Sequence, residues 1–202
     1  MKLEVKNLSK EFSNTLVVNN INFIIEKNKT MGLLGPNGCG KTTSIGMMLG
    51  LITPSKGKVL IDDKKLDSKN RVNLLSMMNF ASPYIELPKK LTVFQNLNIY
   101  AKLYGVKDVN QRIDEMVKDL NLKDFINKKF GELSSGQKNR VSLAKSLINK
   151  PKLLFLDEPT ASLDPDVGDF VRKYLEKYKF KNDLTILLAS HNMKEVERLC
   201  DN

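Results

Sequence analysis

A glycine-rich segment of eight residues constrains the fold of this chain more than any other feature. It runs from Gly35 to Thr42 as Gly-Pro-Asn-Gly-Cys-Gly-Lys-Thr, and it fits the phosphate-loop pattern G-x-x-x-x-G-K-[ST]. The apolar residues 30–34 before it predict a buried strand, and residues 42–51 after it predict a helix. This order of strand, loop and helix is the context that the motif requires, so the segment predicts an α/β fold with a P-loop.

The residue types of this loop match what a phosphate chain needs. Gly35, Gly38 and Gly40 are expected to let the backbone take conformations closed to other residues and turn its N–H groups inward, at a helix start that favours anions. We expect Lys41 to reach the β- and γ-phosphates, and Thr42 to be a magnesium ligand through its hydroxyl. A plain glycine-rich turn is the alternative, and the flanking strand and helix disfavour it. The predicted nucleotide-binding residues of the loop and helix start are Gly35, Pro36, Asn37, Gly38, Cys39, Gly40, Lys41, Thr42 and Thr43.

Two acidic residues follow a second apolar segment. Leu153–Leu156 is continuously apolar, as expected of a parallel strand that is buried on both faces. Asp157 and Glu158 would then emerge at its carboxyl end, where ligands bind in open α/β sheets. An aspartate there can hold magnesium through a water molecule, and a glutamate can deprotonate an attacking water. Two solvated acids at the start of a loop are the alternative.

A third segment, Leu133-Ser134-Ser135-Gly136-Gln137, predicts a helix start. Ser134 and Gln137 have the spacing of a capping box. Gly136 is unfavourable in a first helical turn unless another group approaches the backbone closely. A second anion at this helix N-terminus would account for the glycine.

Together these segments resemble the nucleotide-binding domain of ABC ATPases, over nearly the whole chain. Gly35–Thr42 resembles the Walker A motif of that family, Leu133–Gln137 its signature motif, and Leu153–Glu158 its Walker B motif. Ser162-Leu163-Asp164 resembles the D-loop, and His191, the only histidine, resembles the switch histidine.

The resemblance implies a composite active site. In that family two domains pack head to tail, so that each ATP lies between the P-loop of one subunit and the signature helix of the other. The resemblance makes Glu158 the general base, with Lys41 and His191 also catalytic, and it assigns Asp164 to the D-loop. It implies that Phe12 stacks on adenine, with an edge aromatic packed on the β-subdomain as the alternative. The residues that it places against the partner's nucleotide are Ser134, Ser135, Gly136 and Gln137.

The chain departs from the family pattern at three places. Ser82 stands near the position of a glutamine that normally contacts magnesium and the lytic water, and we take it as the catalytic counterpart. Cys39 stands where the family mostly has alanine or serine. The chain also ends sooner after His191 than most members do.

The composition of the chain limits the kinds of partner and the cellular compartment that we expect. The chain has 202 residues, one domain's length, and a net charge of +10 from 33 Lys and Arg against 23 Asp and Glu. Since no run of five basic residues occurs, we expect a solvated basic surface and no nucleic-acid partner. The two cysteines predict no disulfide framework, which fits a reducing cytosol. The N-terminus lacks an apolar signal region, and no segment approaches the roughly 18 apolar residues of a membrane span.

The remaining patterns predict how the chain is organised. Residues 3–25 alternate like antiparallel strands, and another strand is predicted at 59–61. Residues 91–129 have helical periodicity, with an apolar stripe that includes Ile113 and Met116. Strand 153–157, helix 165–178 and strand 184–189 would complete the core. The fold class is therefore α/β: a P-loop NTPase core with an antiparallel β-subdomain and a helical subdomain at about 83–149, in one domain of residues 1–202.

The resemblance leads to one hypothesis and two alternatives. The hypothesis is the ATP-hydrolysing subunit of a membrane ABC transporter, with ATP and Mg²⁺ as ligands and a second ATP-binding subunit and a transmembrane permease as partners. It would lie at the cytoplasmic face of the cell membrane, and residues 45–51 resemble exporter cassettes. One alternative is a soluble ABC ATPase of translation or DNA repair. The other is a regulatory module that closes on ATP but hydrolyses little.

Overall fold

The computed structural model describes residues 1–82, 86–161 and 163–201. Within these residues the chain folds around two four-stranded sheets. Pro83, where the predicted helical subdomain begins, and Ser162, the first residue of the segment that resembles a D-loop, lie outside the described residues. The strands in chain order are β1 (Leu3–Phe12), β2 (Thr15–Ile25), β3 (Thr30–Leu34), β4 (Lys56–Ile61), β5 (Lys64–Lys65), β6 (Met78–Ala81), β7 (Leu153–Asp157) and β8 (Thr185–Ser190). The helices are α1 (Lys41–Met48), α2 (Arg71–Ser76), α3 (Val93–Leu103), α4 (Val109–Asp119), α5 (Ser135–Leu147), α6 (Pro165–Asn182) and α7 (Met193–Leu199), with two 3₁₀ turns at Lys123–Phe125 and Phe130–Glu132.

The first sheet is antiparallel, in the order β2-β1-β4-β5. Strand β1 pairs with β2 through Leu3 and Ile25, and with β4 through Leu3 and Ile61. All three side chains are buried. The prediction of antiparallel strands in residues 3–25 is therefore confirmed, and the strand predicted at 59–61 is part of β4.

The second sheet is parallel, in the order β3-β8-β7-β6. All five residues of β7 are buried. Leu153 and Phe155 belong to one apolar cluster, and Leu154 and Leu156 belong to another, because successive side chains of a strand point to opposite faces. The uninterrupted apolar sequence thus reflects a strand covered on both sides, as expected.

The two apolar clusters lie on opposite faces of the parallel sheet. One cluster includes Ile45 of α1 and core residues of the antiparallel sheet. The other joins α3, α4 and α5 to α6 and contains Ile113 and Met116 of the predicted stripe. Val117 of the same stripe is half-buried and packs against that cluster.

Two helix ends and three short elements differ from the sequence predictions. Helix α1 ends at Met48, because Gly50 has a left-handed φ of 65° and the N–H groups of Gly50 and Leu51 donate to Met47 and Gly46, a Schellman termination. Helix α6 continues to Asn182, four residues beyond the prediction. The short elements β5, α2 and α7 have too few residues to produce a periodic signal.

None of the helices in the described part of the chain combines the length and apolar character that a membrane span needs.

Candidate functional site

The glycine-rich loop connects β3 to α1 and takes its shape from two of its glycines. Gly40, at the N-cap of α1, has φ 93°, and a Cβ there would lie 2.8 Å from the backbone oxygen of Val17. Gly38 has φ 83°. Gly35 is not in the left-handed region, so the expectation of a special conformation there was wrong. A Cβ at Gly35 would instead lie 2.6 Å from the sulfur of Cys39, so this glycine makes room for that side chain.

Lys41 is the first residue of α1, and its ammonium group is held by the loop. Nζ donates hydrogen bonds to the carbonyl oxygens of Gly35 at 2.6 Å and Pro36 at 3.1 Å. The side chain is buried, and Nζ lies 3.8 Å from Oε1 of Glu158. The sequence pattern identified Lys41 as a phosphate-binding residue, but it did not indicate these contacts within the protein.

Thr42 and Asp157 join the loop to the end of β7. Thr42 Oγ1 donates a hydrogen bond of 2.9 Å to Asp157 Oδ2. Burial raises the pKa of the Asp157 carboxyl above its ordinary value, and the negative charge of Glu158 adds to this. The hydrogen bond from Thr42 and the charge of Lys41 act in the opposite direction without reversing the shift.

Glu158 lies one residue beyond β7, in a left-handed conformation with φ 53°. Its backbone N–H donates to the oxygen of Ala189 at 2.8 Å, which ties the turn to β8. Oε1 lies 2.8 Å from Nδ1 of the exposed His191, close enough for an ion pair when the imidazole is protonated. No donor among the described residues meets hydrogen-bond geometry at this buried Oε1.

Lys41, Thr42 and both acids line one small cavity of about 170 Å³, and the predicted catalytic His191 is not among its lining residues. Six of the predicted nucleotide-binding residues line it, whereas Gly35, Pro36 and Cys39 do not. Val17 of β2 also lines it. No sequence pattern indicated this contribution, because it depends on the packing of the antiparallel sheet against the loop. The lining residues are Val17, Asn37, Gly38, Gly40, Lys41, Thr42, Thr43, Asp157 and Glu158.

Two other predicted site residues lie away from the lining of this cavity. Phe12 ends β1 and is 44% exposed, with Lys10 Nζ 4.8 Å from the ring centroid. Ser82 follows β6 and is buried. The loop cavity as described therefore includes neither the aromatic ring nor this hydroxyl.

The segment that resembles a signature motif forms the start of α5. The backbone N–H of Gln137 donates to Ser134 Oγ at 3.3 Å, and that of Ser134 donates to Gln137 Oε1 at 3.1 Å, so the predicted capping box is present. A Cβ at Gly136 would meet Val167 at 3.5 Å, an ordinary contact. Packing within the chain therefore does not require this glycine. Among the described residues, 134–137 are not part of the loop cavity.

Asp164, of the segment that resembles a D-loop, occupies the N-cap position of α6. Its side chain makes no capping hydrogen bond, and Pro165 follows at the first helical position. Pro165 suits that position because its missing N–H would have had no partner within the helix.

A larger cavity of about 640 Å³ lies elsewhere, among residues of α6, β8 and α7. It shares no lining residue with the glycine-rich loop. The volume of a cavity alone therefore does not identify the functional site of this protein. The convergence of charged and hydroxyl groups is the better indicator.

The fold and the loop define the class first: this is an α/β protein of the P-loop nucleotide-binding type. The sequence model described as ABC transporter matches residues 18–161, and the chain belongs to this family. The fold class inferred from the sequence is thereby confirmed.

Three relatives show the extent of the likeness. The chain is 33% identical over 201 residues to the Nod factor export ATP-binding protein I of Rhizobium sp. (strain N33), covering 98% of this chain and 66% of that protein. It superposes with a TM-score of 0.85 and 31% identity on cbiO1 from Clostridium perfringens, described as part of the ABC transporter complex cbiONQ, covering 98% and 82% of the two chains. It also superposes with a TM-score of 0.88 and 25% identity on the ATP-binding cassette MJ0796, a dimer in a post-hydrolysis state bound to ADP and Pi, covering 97% and 90%.

The chain spans slightly less than two thirds of the length of the curated relatives that it matches.

Proposed function

We propose that this chain is the ATP-hydrolysing subunit of a membrane ABC transporter. The observation that carries the proposal is the convergence of a loop lysine, a hydroxyl and two acids on one cavity of about 170 Å³. Membership of the ABC transporter family supports it, as does the likeness to a cassette solved with ADP and Pi.

The cavity suits the phosphate chain of ATP better than the whole molecule. Its volume of about 170 Å³ is below the several hundred Å³ of a usual small-molecule pocket. Lys41 would exchange its bonds to two carbonyl oxygens for charge-assisted bonds to phosphate oxygens. The adenine would then lie outside the cavity, where we propose that the exposed ring of Phe12 stacks on it.

Thr42 and Asp157 fit a magnesium site. Mg²⁺ takes oxygen ligands, and it is usually held by one or two carboxylates together with substrate phosphates and water. A hydroxyl and a buried carboxylate whose oxygens lie 2.9 Å apart supply that donor set. The described residues contain no group of three or more His, Cys, Asp or Glu that could bind a metal alone, so the phosphates would have to complete this site. When bound, Mg²⁺ would neutralise charge that develops on the phosphates.

Glu158 is proposed as the general base. Its Oε1 atom is buried, and the side chain lines the cavity. This oxygen could therefore accept a hydrogen bond from a water molecule that attacks the terminal phosphate. Glu158 would take the proton of that water. We propose that His191, 2.8 Å from the same oxygen, contacts the γ-phosphate and holds the carboxylate in place. Ser82 is proposed to act on the lytic water from the end of β6, as a shorter substitute for the family's glutamine.

A second copy or a similar subunit is proposed to complete the site. The packing within this chain would accommodate a side chain at position 136. We therefore attribute Gly136 to close approach by a partner's γ-phosphate. Ser134, Ser135 and Gln137 would contribute to the same contact, and Asp164 would lie at the subunit interface. The dimeric state of the solved cassette supports this arrangement.

The transporter setting is also proposed. We infer that residues 1–202 form one nucleotide-binding domain with a helical subdomain at about 83–149. It would bind a separate transmembrane subunit at the cytoplasmic face of the membrane. The names of the relatives, one an export ATP-binding protein and one part of a transporter complex, support an export system with such a partner.

Steady-state release of phosphate tests the proposal. The purified chain should release phosphate from ATP with magnesium and not with excess chelator, and Lys41→Ala should abolish the release. ATP binding without release above the Lys41→Ala level would instead favour a regulatory module. The absence of both binding and release would contradict the proposed function.

A further inference from the structure

We propose that Glu195 of α7 is a positioning residue for the carboxylate of Glu158, a role that rests on the hydrolytic function proposed above. Glu195 is only 2% exposed, whereas Glu197 on the same short helix is exposed. A buried carboxylate is unfavourable unless hydrogen bonds compensate for its lost hydration. Its partners therefore indicate what it does.

Both carboxylate oxygens of Glu195 accept hydrogen bonds from hydroxyl groups. Ser190 Oγ donates to Oε2 at 2.7 Å, and Thr160 Oγ1 donates to Oε1 at 2.5 Å. Ser190 directly precedes His191 in the chain, and Thr160 lies two residues after Glu158. Glu195 therefore bridges the two loops that carry the proposed base and the histidine beside it.

The hydroxyl of Ser190 lies between two carboxylates. Its oxygen is 2.7 Å from Glu195 Oε2 and 3.4 Å from Glu158 Oε2. A hydroxyl carries one hydrogen, and the longer distance exceeds the usual O–H···O range. The N–H of Asn192 donates to the same oxygen at 3.1 Å, which helps to fix its orientation. Glu195 thus accepts the short hydrogen bond from Ser190, and Glu158 Oε2 is left with only the longer contact.

The amide of Glu195→Gln has one acceptor oxygen in place of two, so it cannot accept from both Ser190 and Thr160. A Ser190 hydroxyl without this acceptor could donate to Glu158 Oε2 and draw that carboxylate out of position. If Thr160 lost its acceptor instead, the turn from Glu158 to Ala161 would lose the support of that hydrogen bond. Because Glu195 is not among the residues that line the cavity, we expect the chemical step to suffer and ATP binding to remain.

Glu195→Gln tests this with little change of shape, and Glu197→Gln is the matched control on the same helix. We expect kcat to fall about tenfold in Glu195→Gln, since correct positioning of a general base contributes at least that much to the rate. The KM and the affinity for ATP should stay within about twofold of the wild type, because the affected interaction belongs to the transition state. In a Ser190→Ala background the additional loss should be smaller, since the competing hydroxyl is gone.

Three outcomes would overturn the proposal: an unchanged kcat in Glu195→Gln, a parallel loss of ATP affinity and Tm, or full additivity with Ser190→Ala. A second measurement does not depend on turnover. His191 is the only histidine, so its imidazole resonances in NMR spectra can be assigned without ambiguity. They should shift in Glu195→Gln and stay unchanged in Glu197→Gln, and unmoved resonances in Glu195→Gln would also overturn the proposal. Failure of the proposed function would appear separately, as an absence of turnover in the wild type.

Discussion

The hydroxyl of Thr42 donates a 2.9 Å hydrogen bond to the carboxylate of Asp157, 115 residues further along the chain. The contact joins the first turn of α1 to the last residue of β7. It brings together two oxygen donors of the kind that magnesium binds. Burial and the neighbouring Glu158 nevertheless raise the pKa of the Asp157 carboxyl. The hydrogen bond from Thr42 therefore offsets only part of the cost of burying its negative charge.

Asp157→Asn should stabilise the free protein and abolish hydrolysis. In the range between its ordinary pKa of 3.8 and the raised value, folded Asp157 keeps a proton that the unfolded chain has lost. Stability therefore falls as pH rises through this range, and at neutral pH the ionised group is unfavourable. Asparagine can still accept the bond from Thr42 without the charge. A gain of about 1 kcal/mol would raise Tm by about 2–4 °C for a domain of this size.

Thermal unfolding at pH 7 without magnesium or nucleotide measures this effect. Asp114→Asn, an exposed aspartate on α4, is the control and should leave Tm unchanged. An equal or lower Tm for Asp157→Asn would contradict the view that the buried charge is a cost retained for metal binding.

Lys41→Ala should weaken ATP binding. A hydrogen bond to a charged group contributes about 1.5–3 kcal/mol, which corresponds to a loss of roughly 10- to 150-fold in affinity. Equilibrium titration with a fluorescent ATP analogue measures it, with Lys118→Ala on the exposed face of α4 as the control. Near-wild-type affinity in Lys41→Ala would mean that the loop is not the phosphate site.

Ser134→Arg should abolish hydrolysis and leave the binding of nucleotide to the single subunit intact. A bulky side chain at the start of α5 would block closure on a partner. Ser134→Ala removes the same helix cap without the bulk, so it controls for the loss of about 1 kcal/mol in helix stability. Mixing Ser134→Arg with Lys41→Ala should restore activity, since one composite site of that pair is intact. A mixture that stays inactive while the wild type hydrolyses ATP would argue against catalysis between subunits.

Ser82→Gln should raise the rate of hydrolysis. In the proposed site a serine would be too short to reach the metal as the family's glutamine does, so the lytic water would be less well held. We expect an increase of about tenfold, equivalent to roughly 1.4 kcal/mol of barrier, with ordinary ATP affinity. Because Ser82 is buried, Tm must be measured alongside to separate overpacking from chemistry. An unchanged rate in a stable Ser82→Gln variant would mean that another residue already fills this role.

Local patterns were enough to predict most of the core. The run Leu153–Leu156 predicted a strand buried on both faces, and Ser134 with Gln137 predicted a helix start, because each signal depends on neighbouring residues only. The meeting of Thr42 and Asp157 could also be anticipated, since parallel strands place their carboxyl ends at one edge of a sheet.

The interactions that the sequence did not indicate depend on packing between distant segments. Glu195 looks like any other acid of a polar helix until α7 lies against β8 and its carboxylate meets Ser190 and Thr160. Val17 joins the cavity only because the antiparallel sheet packs on the loop. The reason for Gly35 was mistaken, because the neighbour that it accommodates, Cys39, is set by the folded path of the loop.

Glu158→Gln tests most directly whether this site hydrolyses ATP. The amide keeps the shape of the side chain but cannot accept a proton. With saturating ATP and magnesium, we predict ATP affinity close to that of the wild type and phosphate release reduced by about 100-fold or more. Glu26→Gln, an exposed acid beyond the end of β2, should hydrolyse ATP like the wild type. Wild-type turnover by a folded, ATP-bound Glu158→Gln protein would contradict the account.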